Sequence, residues 1–415
     1  MPDTLTYQQL REAVSGSAAA FRCRRRLQPA GGEGDKVFPP TFAGAVYAIE
    51  QRRVAGREDP VSCVLLDSVQ SQANRMELAL QEAVDAGKLR LPLVEVDFSE
   101  HDPTGDIEAD EAAGRLIDAV GKVTSLQVPH RLADAILRDS ELDGVPFRKS
   151  EIGKALNTVS LANATPLFEL CPPALIFGMW DSTGPKGGLG PKFERAMVSE
   201  IVGIGAEIGD LRRGLRRDPL EIRGNVLLHA DENHALGRVA DRKEKGAVRP
   251  SKVNHSNVPF PEQREKKTES NYYDGVTIEY AEQTTTLSLI CLRRLRFPVS
   301  RASNAGDEAA RTVLAAMGLC AAALAFESGM DLRSRSLLWP DGAMVWQLLD
   351  HPGVRPSEFE LSGPQAIDLL SEAIEAARDA GLPWRDQPVA LRPSGELLEL
   401  VRRSQQLARR EGAED

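Results

Sequence analysis

The pattern of apolar and polar residues changes abruptly within residues 63–77, CVLLDSVQSQANRME. The apolar run from Cys63 to Leu66 leads into a polar stretch, and from Met76 onward apolar residues return at helical spacing. This pattern predicts a buried strand, a polar turn and a helix. The turn is rich in neutral hydrogen-bonding side chains, so the question is what they cap or bind.

Residues 19–28, AAFRCRRRLQ, alternate in the manner of a strand with one buried face. The apolar positions are Phe21, Cys23 and Leu27, and the opposite positions carry Arg22, Arg24 and Arg26. No acidic residue lies between these arginines, so they repel one another unless an anion lies on their face. A solvated strand face with packed aliphatic stems is an equally good interpretation.

The remaining pattern predicts a short helix over 42–51, a strand over 91–98 and polar, helical sequence between Thr104 and Phe168. A buried strand from Ala174 to Trp180, a glycine-rich loop and a helix follow. Beyond residue 276 we expect strands in VTIEYAEQ and TTTLSLICLRRLRF, a long apolar helix from Asp307 to Glu327, a short strand in SLLWP and a helical, charged tail from Pro356. This order predicts an α+β protein.

The glycine-rich loop carries Gly184, Gly187, Gly188 and Gly190 together with Lys186 and Lys192. Glycines let backbone amides approach an anion closely. A nucleotide-binding P-loop is excluded, because Pro191 stands where that motif needs a lysine and a hydroxyl residue. A structural turn is as good an interpretation, but the two lysines favour contact with phosphate without nucleotide hydrolysis.

Residues 229–275 are polar and irregular, which predicts a disordered loop or a protruding arm. From Arg212 to Lys267 there are 14 Lys and Arg against 8 Asp and Glu, a net of +6 in a protein of net charge −10. The positive charge is therefore segregated. His229, His234 and His255 lie in this region, but their spacing fits no common metal site.

Composition narrows the class of protein. With 415 residues, 42% of them hydrophobic, the chain can bury a large core, and its charge of −10 restricts any nucleic-acid contact to local basic patches. The five cysteines include no C-x-x-C pair and look like reduced core residues. The first residues show neither a basic start nor an apolar h-region, and the longest apolar run, Val313 to Phe326, is too short to span a bilayer, so a cytoplasmic location without membrane contact is expected.

Motifs for enzyme chemistry or a cofactor are absent: G-x-S-x-G, H-E-x-x-H and the dinucleotide fingerprint are not found. Asp67 and Asp181 follow predicted strands, where Asp is more often a cap than a catalyst. Basic rows, glycine loops and Ser, Gln, Asn and Arg clusters are typical of binding to a phosphodiester backbone. Aromatic residues are only 5% of the chain, so base stacking is not expected to be the main contact.

Five ordered stretches carry a resemblance to a known family: LQPAGGEGDKVFPPT, LLDSVQSQANRME, PHRLADAILRDS, FGMWDSTGPKGGLGPKFERAMVSEIVG and YAEQTTTLSLICLRRLRFP. Over roughly residues 18–350 the chain resembles the backbone subunit of CRISPR effector complexes (Cascade), specifically the type I-G group, formerly I-U. The tail beyond about residue 355 carries no motif of that family.

The resemblance implies a palm like an RNA-recognition motif, of ferredoxin-like α+β fold, with a helical finger insertion, a protruding thumb and a helical C-terminal extension. The implied palm comprises 1–98, 173–228 and 276–354, the finger 99–172, the basic thumb 229–275 and the extension 355–415.

The implied function is that of a non-catalytic subunit that polymerises along the spacer of the guide RNA (crRNA) and supports target DNA recognition in antiviral defence. The implied partners are crRNA, target DNA paired with it, further copies of this chain, other Cascade subunits and, indirectly, a recruited helicase-nuclease. Type III relatives cleave RNA with a loop Asp, for which this chain has no clear counterpart.

The residues predicted to contact RNA are Arg22, Arg24, Arg26, Lys36, Ser68, Gln70, Ser71, Asn74, Arg75, His130, Arg131, Lys186, Gly187, Gly188, Lys192, Lys252 and Asn254. Two alternatives stay open. A metal-dependent ribonuclease on the same fold would use acids such as Asp67, Asp181 or Asp274, and a nucleotide-binding regulatory enzyme would use the glycine loop.

Overall fold

The computed structural model describes residues 2–43, 46–184, 190–208, 219–223, 225–231, 235–240, 244–253, 255, 275–299 and 305–414. The strands are β1 Asp3–Thr4, β2 Ala20–Pro29, β3 Thr41–Phe42, β4 Val46–Tyr47, β5 Ile49–Arg52, β6 Val61–Asp67, β7 Val94–Asp97, β8 Lys122–Thr124, β9 Ser140–Leu142, β10 Val145–Pro146, β11 Met179–Trp180, β12 Lys192–Phe193, β13 Met197–Ile204, β14 Glu207–Ile208, β15 Leu228–Ala230, β16 Leu236–Val239, β17 Val276–Thr277, β18 Tyr280–Ser288, β19 Met330–Asp331, β20 Leu337–Pro340, β21 Val345–Leu349, β22 Ser357–Glu360 and β23 Val389–Pro393. The α-helices are α1 Tyr7–Ser15, α2 Val69–Asp85, α3 Ile107–Ala112, α4 Ala135–Arg138, α5 Glu151–Ala155, α6 Thr165–Leu170, α7 Pro173–Phe177, α8 Leu289–Arg293, α9 Ala305–Glu327, α10 Gly363–Asp379 and α11 Gly395–Glu414.

Ten of the described strands form the main sheet, in the order β1-β22-β21-β2-β18-β13-β6-β5, with β20 attached to β2 and β19 to β20. Its centre is antiparallel, since β18 pairs with both β2 and β13, and β13 pairs with β6. The alternation predicted for residues 19–28 is confirmed: Phe21, Cys23 and Leu27 are buried in β2, whereas Arg24 and Arg26 are exposed. The mixed α+β class is confirmed as well.

The helices α2 and α9 cover one face of the main sheet, which we call the inner face; the opposite side is the outer face. The helix α9 packs against α1, α2 and α10 and has no exposed apolar side. By length and composition α9 is apolar enough to cross a membrane, but 72% of its most apolar window is buried within the protein, as in a core helix. The helix predicted from Asp307 to Glu327 is confirmed, and most of its residues are buried.

A second sheet has the order β10-β9-β23-β7-β8 and draws strands from distant parts of the chain. In it β23 pairs with β7 in parallel, while β22 joins β1 and β21 in the main sheet. The expected helical C-terminal extension is therefore confirmed only in part: it contains α10 and α11, but it also supplies strands to both sheets. Short alternating segments such as VALRP, which is buried at every second residue, form strands because they pair with strands from distant parts of the chain.

Three other local predictions are wrong. Residues 42–51 form parts of β3, β4 and β5 instead of a helix, because β5 pairs along β6. The apolar run after Cys171 is the short helix α7, which is buried all round and has a proline at its start; periodicity does not distinguish such a run from a strand. The segment after the glycine-rich loop is the strand β13, which is buried on both sides over most of its length.

Between Thr104 and Phe168 the chain forms short helices, α3 to α6, interspersed with 3₁₀ turns and the strands β8 to β10. The predicted helical character of this region is confirmed only in part. The boundaries of palm, finger and thumb remain predictions.

Candidate nucleic-acid interface

The predicted strand, turn and helix around residue 68 are confirmed. The strand β6 ends at Asp67, and the hydroxyl of Ser68 accepts the backbone N–H of Ser71 at 3.2 Å, which is an N-cap. The cap fixes the direction in which α2 leaves the sheet. The N-terminal turn of α2, with the partial positive charge of the helix dipole, therefore lies at the C-terminal end of β6.

The first turns of α2 present an uncharged polar surface. Gln70 and Asn74 are exposed, and the amide of Gln70 donates to Asn74 Oδ1 at 3.1 Å. Leu78, one turn further, is also exposed. We call this surface, formed by Gln70, Ser71, Asn74 and Leu78, the α2 face. Its amides can each donate and accept, as contact with phosphates and ribose hydroxyls requires.

Cationic groups lie on one side of the α2 face. Arg195 donates to the side-chain oxygen of Gln70 and, at 3.1 Å, to the carbonyl of Phe177. Close to it in the chain, the hairpin of β11 and β12 pairs Trp180 with Lys192, whose ammonium lies 5.6 Å from the centre of the indole ring. Trp180 is 53% exposed and therefore accessible to a ligand. The sequence analysis did not select it, because a single Trp at a strand end has no distinctive pattern.

A buried ion pair holds α2 against this hairpin. Arg131, only 5% exposed, donates to both oxygens of Glu77 at 2.6 and 2.7 Å and to the carbonyl of Gly178 at 2.9 Å. Burial raises the pKa of the Glu77 carboxyl, and its pairing with Arg131 acts in the opposite direction. Arg131, predicted to contact RNA, thus lies inside and positions α2, whereas its neighbour His130 is exposed.

On the other side, α2 is held through Asp67, which is fully buried. Its carboxylate accepts from the Gln72 amide at 2.6 Å, from Arg75 at 3.0 Å and from Arg333 at 3.4 Å. Arg75 also donates to the carbonyl of Leu332 at 2.7 Å. These bonds connect the start of α2 to the loop between β19 and β20.

The polar contacts continue beneath α2 across the inner face. The amide of Gln283 donates to Gln72 Oε1 at 2.7 Å, and Ser199 donates to the same oxygen at 2.9 Å. At the far end, Arg25 donates to Gln283 and lies 3.5 Å from the centre of the Phe326 ring. Burial lowers the pKa of Arg25 to about 10. Sequence reasoning missed this arginine, because its neighbours Arg24 and Arg26 point the other way.

The arginines of β2 at alternate positions lie on the outer face, opposite α2. They line an open groove of about 560 Å³ together with Gln347, Glu282 and Glu358. Arg26 lies 4.2 Å above the ring of Tyr280. Since the inner-face residues Cys23 and Arg25 alternate with them, the structure does not bring these arginines together with the α2 face.

Acidic side chains from neighbouring strands reduce the charge of this arginine row. Arg24 donates to both oxygens of Glu282 at 2.7 and 2.9 Å. Arg22 donates to Gln347 at 2.8 Å, and Gln347 in turn donates to Glu358 at 3.1 Å. Glu282 thus compensates the charge of Arg24, so the repulsion expected from the sequence is relieved in part by a cross-strand partner.

The other predicted site residues are dispersed. Lys36 is half-buried two residues before Phe38, and Lys252 is exposed in a 3₁₀ turn, Pro250–Val253. Lys186, Gly187, Gly188 and Asn254 lie outside the described residues. Asp181, at the start of the glycine-rich loop, is buried and accepts from Arg148 at 2.7 Å.

The fold and this surface together define an α+β protein with a local cationic, hydrogen-bonding surface at the end of its main sheet. The model of a family described as CRISPR-associated protein GSU0053 matches residues 21–208, slightly less than half of the chain. The matched region includes β2, β6, α2 and the β11–β12 hairpin. The match supports a CRISPR-associated protein with a role in CRISPR defence. No curated protein matches the chain.

Proposed function

We propose that this chain is a non-catalytic backbone subunit of a type I CRISPR effector complex of the Cascade kind, in the I-G group. It binds crRNA along the spacer, with one copy next to another, and holds the guide for pairing with target DNA. Its other partners are further Cascade subunits and, through them, the helicase-nuclease. We place this assembly in the cytoplasm.

The observation that carries this proposal is the α2 face. The exposed amide of Gln70 there accepts from Arg195, and Arg75, which follows Asn74 in the chain, binds the same buried Asp67 as Arg333, near a helix N-terminus. Such a surface binds a phosphodiester chain irrespective of sequence, as a guide with a variable spacer requires. We therefore place the RNA along α2 rather than on the arginine row of the outer face.

A non-catalytic role is supported by the state of two of the three acids considered for metal-dependent cleavage; the third, Asp274, lies outside the described residues. Asp67 is fully buried and bound by two guanidinium groups, and Asp181 is bound by Arg148. Both carboxylates are thereby engaged in holding the fold. A localised RNA surface also agrees with the net charge of −10. The negative charge on the rest of the exterior favours solubility and repels other nucleic acids.

The test uses isosteric charge changes on the α2 face. The purified chain is mixed with single-stranded RNAs of increasing length, and mass is measured by size-exclusion chromatography with light scattering. We expect the mass to rise in steps of one subunit. In the double variant Gln70→Glu/Asn74→Asp, RNA affinity should fall at least tenfold, because two carboxylates then face the phosphates. Stability should fall only slightly, by about 0.2–0.5 kcal/mol, because the exposed bond from Gln70 to Asn74 is replaced by an exposed pair of like charges at i,i+4.

The matched control is Gln51→Glu, the same isosteric change at an exposed position on β5. It should bind RNA like the unaltered protein. A monomer that ignores RNA of every length, alone and when co-expressed with crRNA and partner subunits, would refute the proposal. Magnesium-dependent RNA cleavage, or saturable ATP binding lost in Lys186→Ala, would favour the two enzymatic alternatives instead.

A further inference from the structure

The loop between β19 and β20, residues 332–336, has the sequence LRSRS, which the sequence patterns did not single out. It forms a tight hairpin. The N–H of Leu332 donates to the carbonyl of Ser336 at 3.1 Å, and the N–H of Ser336 donates to the carbonyl of Arg333 at 2.9 Å. Arg335, at its tip, has φ of 60°. A hairpin tip with positive φ normally takes Gly or Asn, so an arginine there requires an explanation.

The side chain of Arg335 supplies one. Its guanidinium lies 4.1 Å from the centre of the Phe38 ring, and the residue is exposed. Stacking on the ring orients the planar group while its N–H edges stay accessible. The structure gives Arg335 no carboxylate partner among the residues it describes. A residue kept in an unfavourable backbone conformation, with an oriented and accessible charged group, is typical of a binding site.

The surroundings of the tip carry an excess of positive charge. Arg333 and Arg75 share the single buried carboxylate of Asp67, and Arg333 also donates to the carbonyl of Phe38 at 3.3 Å. Two guanidinium groups therefore share this buried carboxylate and Arg335 adds a third cation, while the exposed Asp331 directly precedes the loop. Arg75 and Arg333 are held by their bonds within the protein, so they add positive electrostatic potential and keep the loop rigid. Arg335 is the group that can reach a ligand.

We propose that this loop is a phosphate-binding site, in which Arg335 donates to a phosphodiester oxygen with the exposed hydroxyl of Ser334 beside it. Arg75 connects the loop directly to α2 through the carbonyl of Leu332. The phosphate therefore belongs to the same RNA strand that the α2 face binds, and to that extent the inference rests on the proposed function.

The experiment measures binding of a fluorescent single-stranded RNA to the full chain by anisotropy, at several salt concentrations. In Arg335→Gly the slope of log affinity against log salt should decrease in magnitude by about 0.7, the value for one phosphate contact on a single strand. The melting temperature should stay the same or rise, because glycine adopts positive φ without strain. Arg335→Lys should keep the slope. Arg355→Ala, at an exposed position in the loop between β21 and β22, is the control and should change neither quantity.

Each outcome is decisive. An unchanged slope in Arg335→Gly, with RNA binding still reduced by Gln70→Glu/Asn74→Asp, would overturn the loop as a phosphate site and leave the proposed function standing. If the unaltered chain binds no RNA, the proposed function fails. A thermal-shift measurement with tripolyphosphate then tests whether the loop binds phosphate at all. A stabilisation lost in Arg335→Gly would then identify a site for a free polyphosphate, and its absence would overturn the site altogether.

Discussion

The buried pair of Arg131 and Glu77 allows a quantitative prediction, because both side chains are almost inaccessible to solvent. The two residues are 5% and 3% exposed. Removing one partner leaves the other charge buried without compensation, which costs about 3–5 kcal/mol in the free energy of unfolding. We expect this loss in both Arg131→Met and Glu77→Leu.

The double variant should recover most of the loss, since two apolar side chains of similar size fill the same space. What remains is the carbonyl of Gly178, which loses the bond from Arg131 and costs about 1–3 kcal/mol when left unsatisfied. If the two single losses were independent, the double variant would instead lose about 6–10 kcal/mol. The difference between these values measures the coupling within the pair.

The pH dependence of Arg131→Met follows from the remaining carboxyl. Burial already raises the pKa of Glu77 in the folded protein, and loss of the guanidinium raises it further. A carboxyl whose pKa is higher in the folded than in the unfolded state favours folding as the pH falls towards its ordinary value. The destabilisation of Arg131→Met should therefore be smaller at about pH 5 than at about pH 8.

The assay is equilibrium unfolding in urea, with RNA binding measured on the same preparations. Under conditions where it is folded, Arg131→Met should also bind RNA less well, because α2 is no longer held against the hairpin, although no surface charge has changed. A single-variant loss below about 1 kcal/mol, or a double variant as unstable as the sum, would refute the account of a buried, coupled pair.

Two further predictions concern the outer face and the cysteines. Because Arg24 is exposed and engaged with Glu282, Arg24→Ala should cost no more than about 1 kcal/mol in stability and leave RNA affinity unchanged; a tenfold loss by anisotropy would contradict our choice of surface. Burial raises the pKa of Cys171 to about 11 and that of Cys320 to about 12, so titration of the native protein with a thiol reagent at about pH 8 should first label the half-buried Cys291. Rapid labelling of Cys320 in the folded protein would contradict the buried position of α9.

The sequence predicted structure best where one hydrophobic period, that of a strand or of a helix, continued over a whole element. The strand at 61–67, the helix at 69–85 and the long apolar helix were confirmed, and the five cysteines are free thiols, as expected. The errors concern short segments whose conformation depends on distant partners. The β23 strand exists because β7, almost 300 residues earlier in the chain, pairs with it, and no local pattern carries that information.

The candidate site also contains residues that the local pattern predicted correctly and residues whose position depends on distant parts of the chain. Residues that the polar stretch singled out on α2, such as Gln70 and Asn74, do share an exposed surface. Arg131 and His130 look alike in the sequence, yet one is buried against Glu77 and the other exposed. Burial is a property of the whole fold, so adjacent basic residues in a short segment do not reveal which of them reaches a ligand.

The arginine row of β2 illustrates why charge read along the sequence differs from charge on a folded surface. Alternation correctly predicts that Arg22, Arg24 and Arg26 share a face, but Glu282 lies beside Arg24 only because β18 pairs with β2 in the observed register. A polyanion bound there would compete with carboxylates already in place. Near the start of α2, by contrast, the one buried carboxylate is shared by two guanidinium groups, so positive charge remains for a ligand. Register in the sheet, rather than the number of arginines in a segment, thus decides which face of this protein has positive charge left for an anion.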